Sequence, residues 1–169
     1  TLRKMNTSVM MWFSDYKTNS NMKNKSILDT AMILAAGYGK RLMPLTEYTP
    51  KALVEYKGKP IIYHVIRKLE NSGLRKIIIN THHLANKMNE YFANNSFNSE
   101  ITLIHETNLL GTGGAIKNAA DFLKGSGNFL VYNADVDSEI DLHVMIASHI
   151  ENEALATLAV KERSTGRYL

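Results

Sequence analysis

Residues 76–80 read KIIIN, three isoleucines in a row with no alternation of apolar and polar positions. A strand with one wet face alternates; a β-branched run that does not is a strand covered on both faces. Helices on both sides of a sheet supply that cover, and the rest of the chain carries them. Residues 60–72 (PIIYHVIRKLENS) put Ile61, Ile62, Val65, Ile66 and Leu69 on one helical stripe. Pro60 suits the first turn and Gly73 the position just past the end. From residue 30 on, 30–34 (TAMIL), 101–105 (ITLIH), 128–132 (NFLVY) and 155–161 (LATLAVK) read as further strands. Residues 84–92, 114–124 and 142–150 read as helices. Strand and helix alternating through short connections predict an α/β fold: a mostly parallel sheet, helices on both faces, ligands at the carboxyl ends of the strands.

One domain of this kind accounts for 169 residues, 44% of them apolar and 21% charged. The net charge of +4 sits at the start, where Arg3, Lys4, Lys17, Lys23 and Lys25 face Asp15 alone; the remainder is neutral. A neutral body behind a basic leader is not a duplex-binding surface, so no nucleic-acid partner is expected. Residues 1–25 read as a solvated, disordered leader and 26–169 as the domain. Met10, Met11 and Trp12 form a small apolar cluster in that leader, with no cofactor implied. No window approaches eighteen uninterrupted apolar residues and the start lacks a signal-like core, so no membrane association is expected. With no cysteine, disulfides and thiolate metal sites are excluded, which fits a cytoplasmic protein. The closing STGRYL brings no final helix, so the domain reads as incomplete at its carboxyl end.

The first strand runs into LAAGYGKRLMPLT (34–46), with two glycines, two adjacent cations and a proline. Two familiar phosphate loops fail here. A GxxxxGK loop needs a glycine at 34 and a hydroxyl after the lysine, where Leu34 and Arg41 stand. A GxGxxG loop needs a glycine where Leu42 stands, and the second strand ends in Asn80 and Thr81 rather than a ribose-binding acid. A third arrangement is open: Gly37 and Gly39 at positive φ turn backbone N–H groups toward an anion, Arg41 offers a planar fork, and Lys40 or Lys51 a point charge. Pro44 and Pro50 stiffen the loop. A tight turn carrying solvated cations has the same local sequence.

The ordered series goes further than its parts. LAAGYGKRLMPLT followed by TPKALV (49–54) resembles the signature of the sugar-phosphate nucleotidyltransferases. The similarity continues through GKPIIYHVIRKLENSG, IIINTHHL, LLGTGGAIKNA and LVYNADV, over about residues 30 to 169. Within the family it is nearest the single-domain branch typified by N-acetylmuramate-1-phosphate uridylyltransferase. The resemblance implies a Rossmann-like, GT-A-like fold and a Mg²⁺-dependent reaction of an NTP, UTP by preference, with a sugar-1-phosphate to give an NDP-sugar and pyrophosphate. It implies that Arg41 and Lys51 contact phosphates and that Asp135, at the end of FLVYNAD, holds the Mg²⁺. It also implies that the backbone of Leu34, Ala35, Ala36, Gly37, Gly39 and Lys40, with Gly111, Thr112, Gly113 and Gly114, holds the nucleotide. Thr81 and His82 would lie near the base, and His83 beside them.

Several positions remain open. Asp137 is either a water-mediated helper of the metal or the N-cap of the next helix. Glu106 is either a ligand for an NTP or sugar hydroxyl, or a surface glutamate. Ala134 stands where the family usually has glycine, so its Cβ could crowd a phosphate. The family's second metal carboxylate falls beyond residue 169, which leaves a non-catalytic nucleotide-binding module as an alternative. A cytidylyltransferase acting on an alcohol phosphate such as phosphocholine shares the same front motifs.

Overall fold

The computed structural model describes residues 5–13 and 28–162, with backbone alone for 5–13, 161 and 162. In chain order the elements are β1 (Met5–Phe13), β2 (Thr30–Leu34), α1 (Leu45–Tyr48), β3 (Glu55–Tyr56), β4 (Lys59–Pro60), α2 (Ile61–Asn71) and β5 (Lys76–Thr81). There follow α3 (Ala85–Ala93), β6 (Glu100–His105), α4 (Gly111–Asn118), α5 (Ala120–Leu123), β7 (Asn128–Asn133), α6 (Leu142–Glu151) and β8 (Ala156–Glu162). The main sheet runs β6-β5-β2-β7-β1-β8, and β3 pairs with β4 in a separate hairpin. The four strands β6, β5, β2 and β7 are mutually parallel, as the alternating pattern predicts.

Alternate residues of each central strand feed opposite cores. Ala31, Ile33, Ile77, Ile79, Leu130 and Tyr132 pack with α2, α3 and α6. Met32, Ile78, Phe129 and Val131 pack with α4 and α5 on the other face. The three isoleucines of KIIIN are therefore buried on both sides, as their lack of alternation requires. On α2, Ile62, Val65, Ile66 and Leu69 are buried, each worth about 1.5–3 kcal/mol of transfer free energy. Gly73, at φ 89, ends that helix as expected.

Three expectations are corrected. The leader is not wholly irregular: Met5–Phe13 is a strand inserted antiparallel between β7 and β8. The central strand β7 needs backbone partners along both edges, and VMMWF is a β-prone stretch that supplies one of them. The rest of the leader, 1–4 and 14–25, and the ending 163–169 lie outside the described residues. Helix α4 starts at Gly111 rather than Gly114, and the helical segment breaks at Ala119 before α5. The N-cap of α6 is Asp141, whose side chain accepts from the N–H groups of His143 and Val144, not Asp137. Among the described residues, no helix is long and apolar enough to cross a membrane.

Candidate active site

Chain direction changes at β2. The connection from β2 leads to β5 on one side, and the chain later returns to place β7 on the other. In open parallel sheets a crevice forms at such a reversal, above the carboxyl ends of the two strands. Here the loop leaving β2 forms one bank and the turn leaving β7 the other. The N–H of Ala134 donates to the carbonyl of Leu34 at 3.1 Å, carrying the β2–β7 pairing one step beyond the ladder. Ala134 is 4% exposed and its side chain joins the α2-side core, so it does not crowd the crevice.

The glycine loop is shaped by one close approach. Gly39 sits at φ 66, and a Cβ there would stand 2.8 Å from Thr46 Cγ2 and 3.1 Å from Lys51 Cβ. Thr46 is buried, and its hydroxyl donates to the Gly39 carbonyl at 2.9 Å. The imidazole Nε2 of His83 lies 3.2 Å from the Thr46 carbonyl, which braces the same turn. Gly37 is outside the positive-φ region and meets nothing where a Cβ would be, so the turn depends on Gly39 alone. Pro50 precedes the 3₁₀ turn that carries Lys51, and its carbonyl accepts from Leu53 N–H at 2.8 Å. The result is Lys51 packed against Gly39 with its ammonium directed across the crevice. There it donates to the carboxylate of Asp135. Both side chains keep solvent access, 24% and 36%, so the pair opens without a large desolvation step.

Lys40 and Arg41 lie on the short 3₁₀ turn after Gly39; both are exposed. The Lys40 ammonium stands 5.6 Å from the Tyr38 ring centroid. The Arg41 guanidinium joins no ion pair among the described residues, which leaves its five donors available.

On the side of the β2 loop away from β7, the site is bordered by β5, β6 and α4. Asn80, at the end of β5, accepts from Ala35 N–H at 2.7 Å and donates to Glu106 at 2.7 Å. Glu106 is 2% exposed, so neither reading of it as a hydroxyl ligand nor as a surface glutamate fits. Its second oxygen accepts from Leu110 N–H at 3.1 Å. His82 links this side to the β2 loop, with Nδ1 2.8 Å from the Glu106 carbonyl and Nε2 2.9 Å from the Tyr38 hydroxyl. Thr81 is buried and its hydroxyl is turned to the Ile104 carbonyl at 3.5 Å, so its side chain is not offered to a ligand. Gly111 has φ 69 and, with Thr112, Gly113 and Gly114, forms the first turn of α4, where backbone N–H groups have no helical acceptor. Gly114 is required there for a second reason: a Cβ would lie 2.8 Å from Leu110 Cβ.

Asp137 faces away from this arrangement. It accepts from Tyr56 Oη at 2.9 Å and from Lys57 Nζ at 3.2 Å, which ties the β3–β4 hairpin to the turn after β7. The Tyr56 hydroxyl, and then Lys57, hold its pKa below the ordinary carboxylate value. A cavity of about 490 Å³ opens beyond it, between α2 and residues 136–143. Its charged groups are already engaged: Arg67 with Glu70, Lys68 with Ser138, Asp137 with the hairpin. Burial pushes the Lys68 ammonium below its usual pKa.

The donor set also bears on magnesium. Among the described residues no cluster of three or more His, Asp or Glu side chains could cage an ion. Mg²⁺ that arrives on a triphosphate needs only one or two carboxylates, the rest being phosphate oxygens and water, so Asp135 alone fits that role.

A doubly covered parallel sheet with a glycine turn, a lysine and an aspartate meeting over its reversal point is a Rossmann-like α/β fold with a candidate ligand crevice. The nucleotidyl transferase family model matches residues 30–168, and the chain belongs to that family. It is 35% identical over 133 residues to the catalytic subunit beta of mannose-1-phosphate guanylyltransferase from Drosophila melanogaster, covering 77% of this chain and 36% of that one. It is 43% identical over 106 residues to the bifunctional protein GlmU of Methanococcus maripaludis, covering 63% of this chain and 24% of that one. Among solved structures, HddC from Yersinia pseudotuberculosis complexed with GMP-PN superposes with a TM-score of 0.64 at 36% identity, over 72% of this chain and 54% of that one. UDP-glucose pyrophosphorylase from Acinetobacter baumannii shares the fold at a TM-score of 0.67 and 23% identity, over 76% of this chain and 54% of that one. The chain thus spans a quarter to about a half of the length of these relatives.

Proposed function

We propose that this chain forms the nucleotide-binding part of a sugar-1-phosphate nucleotidyltransferase. The observation that carries this reading is the placement of Lys51 against Gly39 and in contact with Asp135 over the β2–β7 crevice. In the reaction, a phosphate oxygen of the sugar-1-phosphate attacks the α-phosphorus of an NTP. The new P–O bond forms as the bond to the bridging oxygen breaks, and pyrophosphate leaves with that electron pair.

Such a transfer asks for positioning and charge neutralisation rather than for a strong base. The backbone at Gly37–Gly39 and the Arg41 fork hold the phosphates that depart. Lys51 exchanges its internal partner for an α-phosphate oxygen and offsets the charge that develops there. Asp135, released from Lys51, would hold Mg²⁺, which would supply charge neutralisation for the leaving pyrophosphate. The first turn of α4 and the Ala35–Ala36 backbone enclose the nucleobase.

The resemblance favours UTP. A GTP reading stands beside it, supported by relatives 35–36% identical that are named for guanylyl transfer or were solved with GMP-PN. Exchange of labelled pyrophosphate into each of the four NTPs, with a panel of sugar-1-phosphates and with phosphocholine, tests the assignment. Exchange with UTP or GTP and a hexose-1-phosphate supports it; exchange only with CTP and an alcohol phosphate selects the cytidylyltransferase alternative. NTP binding with no exchange for any partner selects the non-catalytic module.

A further inference from the structure

Glu106 is the point at which both glycine-bearing loops are tied together. Its backbone N–H donates to the Thr81 carbonyl at 2.7 Å, and its carbonyl is 2.8 Å from His82 Nδ1. One carboxylate oxygen takes the Asn80 amide, whose own oxygen holds the Ala35 N–H. The other takes the N–H of Leu110, directly ahead of Gly111. Asn80 and Glu106 are 4% and 2% exposed, so these bonds are sheltered from competing water. His82 adds a second tie from the Glu106 carbonyl to the Tyr38 hydroxyl, on the same loop as Ala35.

We propose that Glu106 is a positioning residue for the nucleobase: through Asn80 and Leu110 it sets the gap between the loop at Ala35 and the first turn of α4. This rests on the reading above, in which those two segments flank the base. A buried carboxylate suits the task because each of its oxygens accepts a hydrogen bond, whereas a neutral amide accepts at one end and donates at the other. Both groups it must hold, the Asn80 amide and the Leu110 N–H, are donors. The phosphate-binding turn at Gly39 is braced separately, by Thr46 and His83, so the base gap is set without it.

The experiment compares affinity for UTP and GTP with affinity for inorganic tripolyphosphate, by calorimetry in Mg²⁺. Glu106→Gln holds one of its two donors and faces the other with its own amide. It is expected to lose about tenfold in affinity for the nucleotide that wild type binds, while tripolyphosphate affinity is unchanged. Asn80→Asp sets two carboxylates against each other and is expected to lose as much. The double variant Glu106→Gln/Asn80→Asp restores every pairing with its polarity reversed: the new carboxylate accepts from Ala35 and from the new amide, whose oxygen accepts from Leu110. Its nucleotide affinity should return to within about threefold of wild type, on the same free-energy scale. Unchanged nucleotide binding in Glu106→Gln, equal loss of tripolyphosphate, or no recovery in the double variant would each overturn the proposal.

If a single variant does not fold, amide exchange on wild type decides instead. The proposed tie requires slow exchange at Ala35 and Leu110 although both lie in loops, and fast exchange at either refutes it. A wild type that binds neither UTP nor GTP sinks the functional reading itself, and with it the role assigned to Glu106, whatever the exchange rates.

Discussion

Lys51 and Asp135, 84 positions apart in the chain, meet as an ion pair over the crevice between β2 and β7. In the proposed reading, each is the group the other gives up when a Mg²⁺–nucleotide arrives. The bound state would then replace one internal pair with two ligand contacts, and the two residues would respond differently to substitution.

The two residues should separate in their metal dependence. Asp135→Asn removes the carboxylate proposed to hold Mg²⁺ beside the triphosphate, so the gain in nucleotide affinity that Mg²⁺ brings is expected to shrink about three- to tenfold. Lys51→Ala should bind nucleotide more weakly with and without Mg²⁺ while keeping that gain. The resting pair is part-exposed and worth at most about 1 kcal/mol, so neither change should alter the urea midpoint greatly. Calorimetry with UTP or GTP, with and without MgCl₂, reads the difference; an equal Mg²⁺ effect in wild type and Asp135→Asn would contradict it.

The two glycines of the first loop should differ in stability. Gly39→Ala forces a Cβ against Thr46 at positive φ and is expected to cost about 1–3 kcal/mol. Gly37→Ala adds a methyl to open space and should stay within about 0.5 kcal/mol of wild type. Urea unfolding of both variants makes the comparison; equal losses would show that the turn is not set by Gly39.

Much of this architecture is legible in the sequence because its causes are local. The unbroken apolar runs specify strands buried twice over, and the alternation with helical stripes specifies their parallel order. Asp135 is readable for the same reason, since a residue just past such a strand must emerge at its carboxyl end. What is not legible depends on partners distant in the chain. Glu106 reads as a polar residue in a loop until Asn80 and Leu110 are placed around it. Asp137 and Asp141 both precede α6, and only backbone geometry shows which one caps it. Met5–Phe13 carries a β-prone stretch, but the cations around it read as solvated. Its place in the sheet follows from the open edge of β7, which no local window reveals.

Acid should weaken the fold through His149. This side chain is fully buried on α6, with Nδ1 2.8 Å from the Thr157 hydroxyl, and burial pushes its pKa below 6.5. A histidine with a depressed native pKa takes up its proton more readily when unfolded. Its stabilising contribution is therefore complete above the unfolded value of 6.5 and declines as pH falls through it toward the native value. The slope attributable to this residue is at most about 1.4 kcal/mol per pH unit. Urea midpoints between about pH 7.5 and 5.5 should show this loss, and His149→Gln should remove that part of the dependence. A pH profile identical in the variant would assign the acid sensitivity elsewhere.

The central claim is that the Gly39 turn, Arg41, Lys51 and Asp135 act on one triphosphate. The most direct measurement is the thermal midpoint of wild type, Arg41→Ala, Lys51→Ala and Asp135→Asn, each with saturating UTP or GTP and with or without Mg²⁺. Wild type should be stabilised by nucleotide, and more so with Mg²⁺. Arg41→Ala and Lys51→Ala should lose most of the nucleotide response, and Asp135→Asn only the part that Mg²⁺ adds. Variants that respond as wild type does would place the triphosphate somewhere other than this crevice.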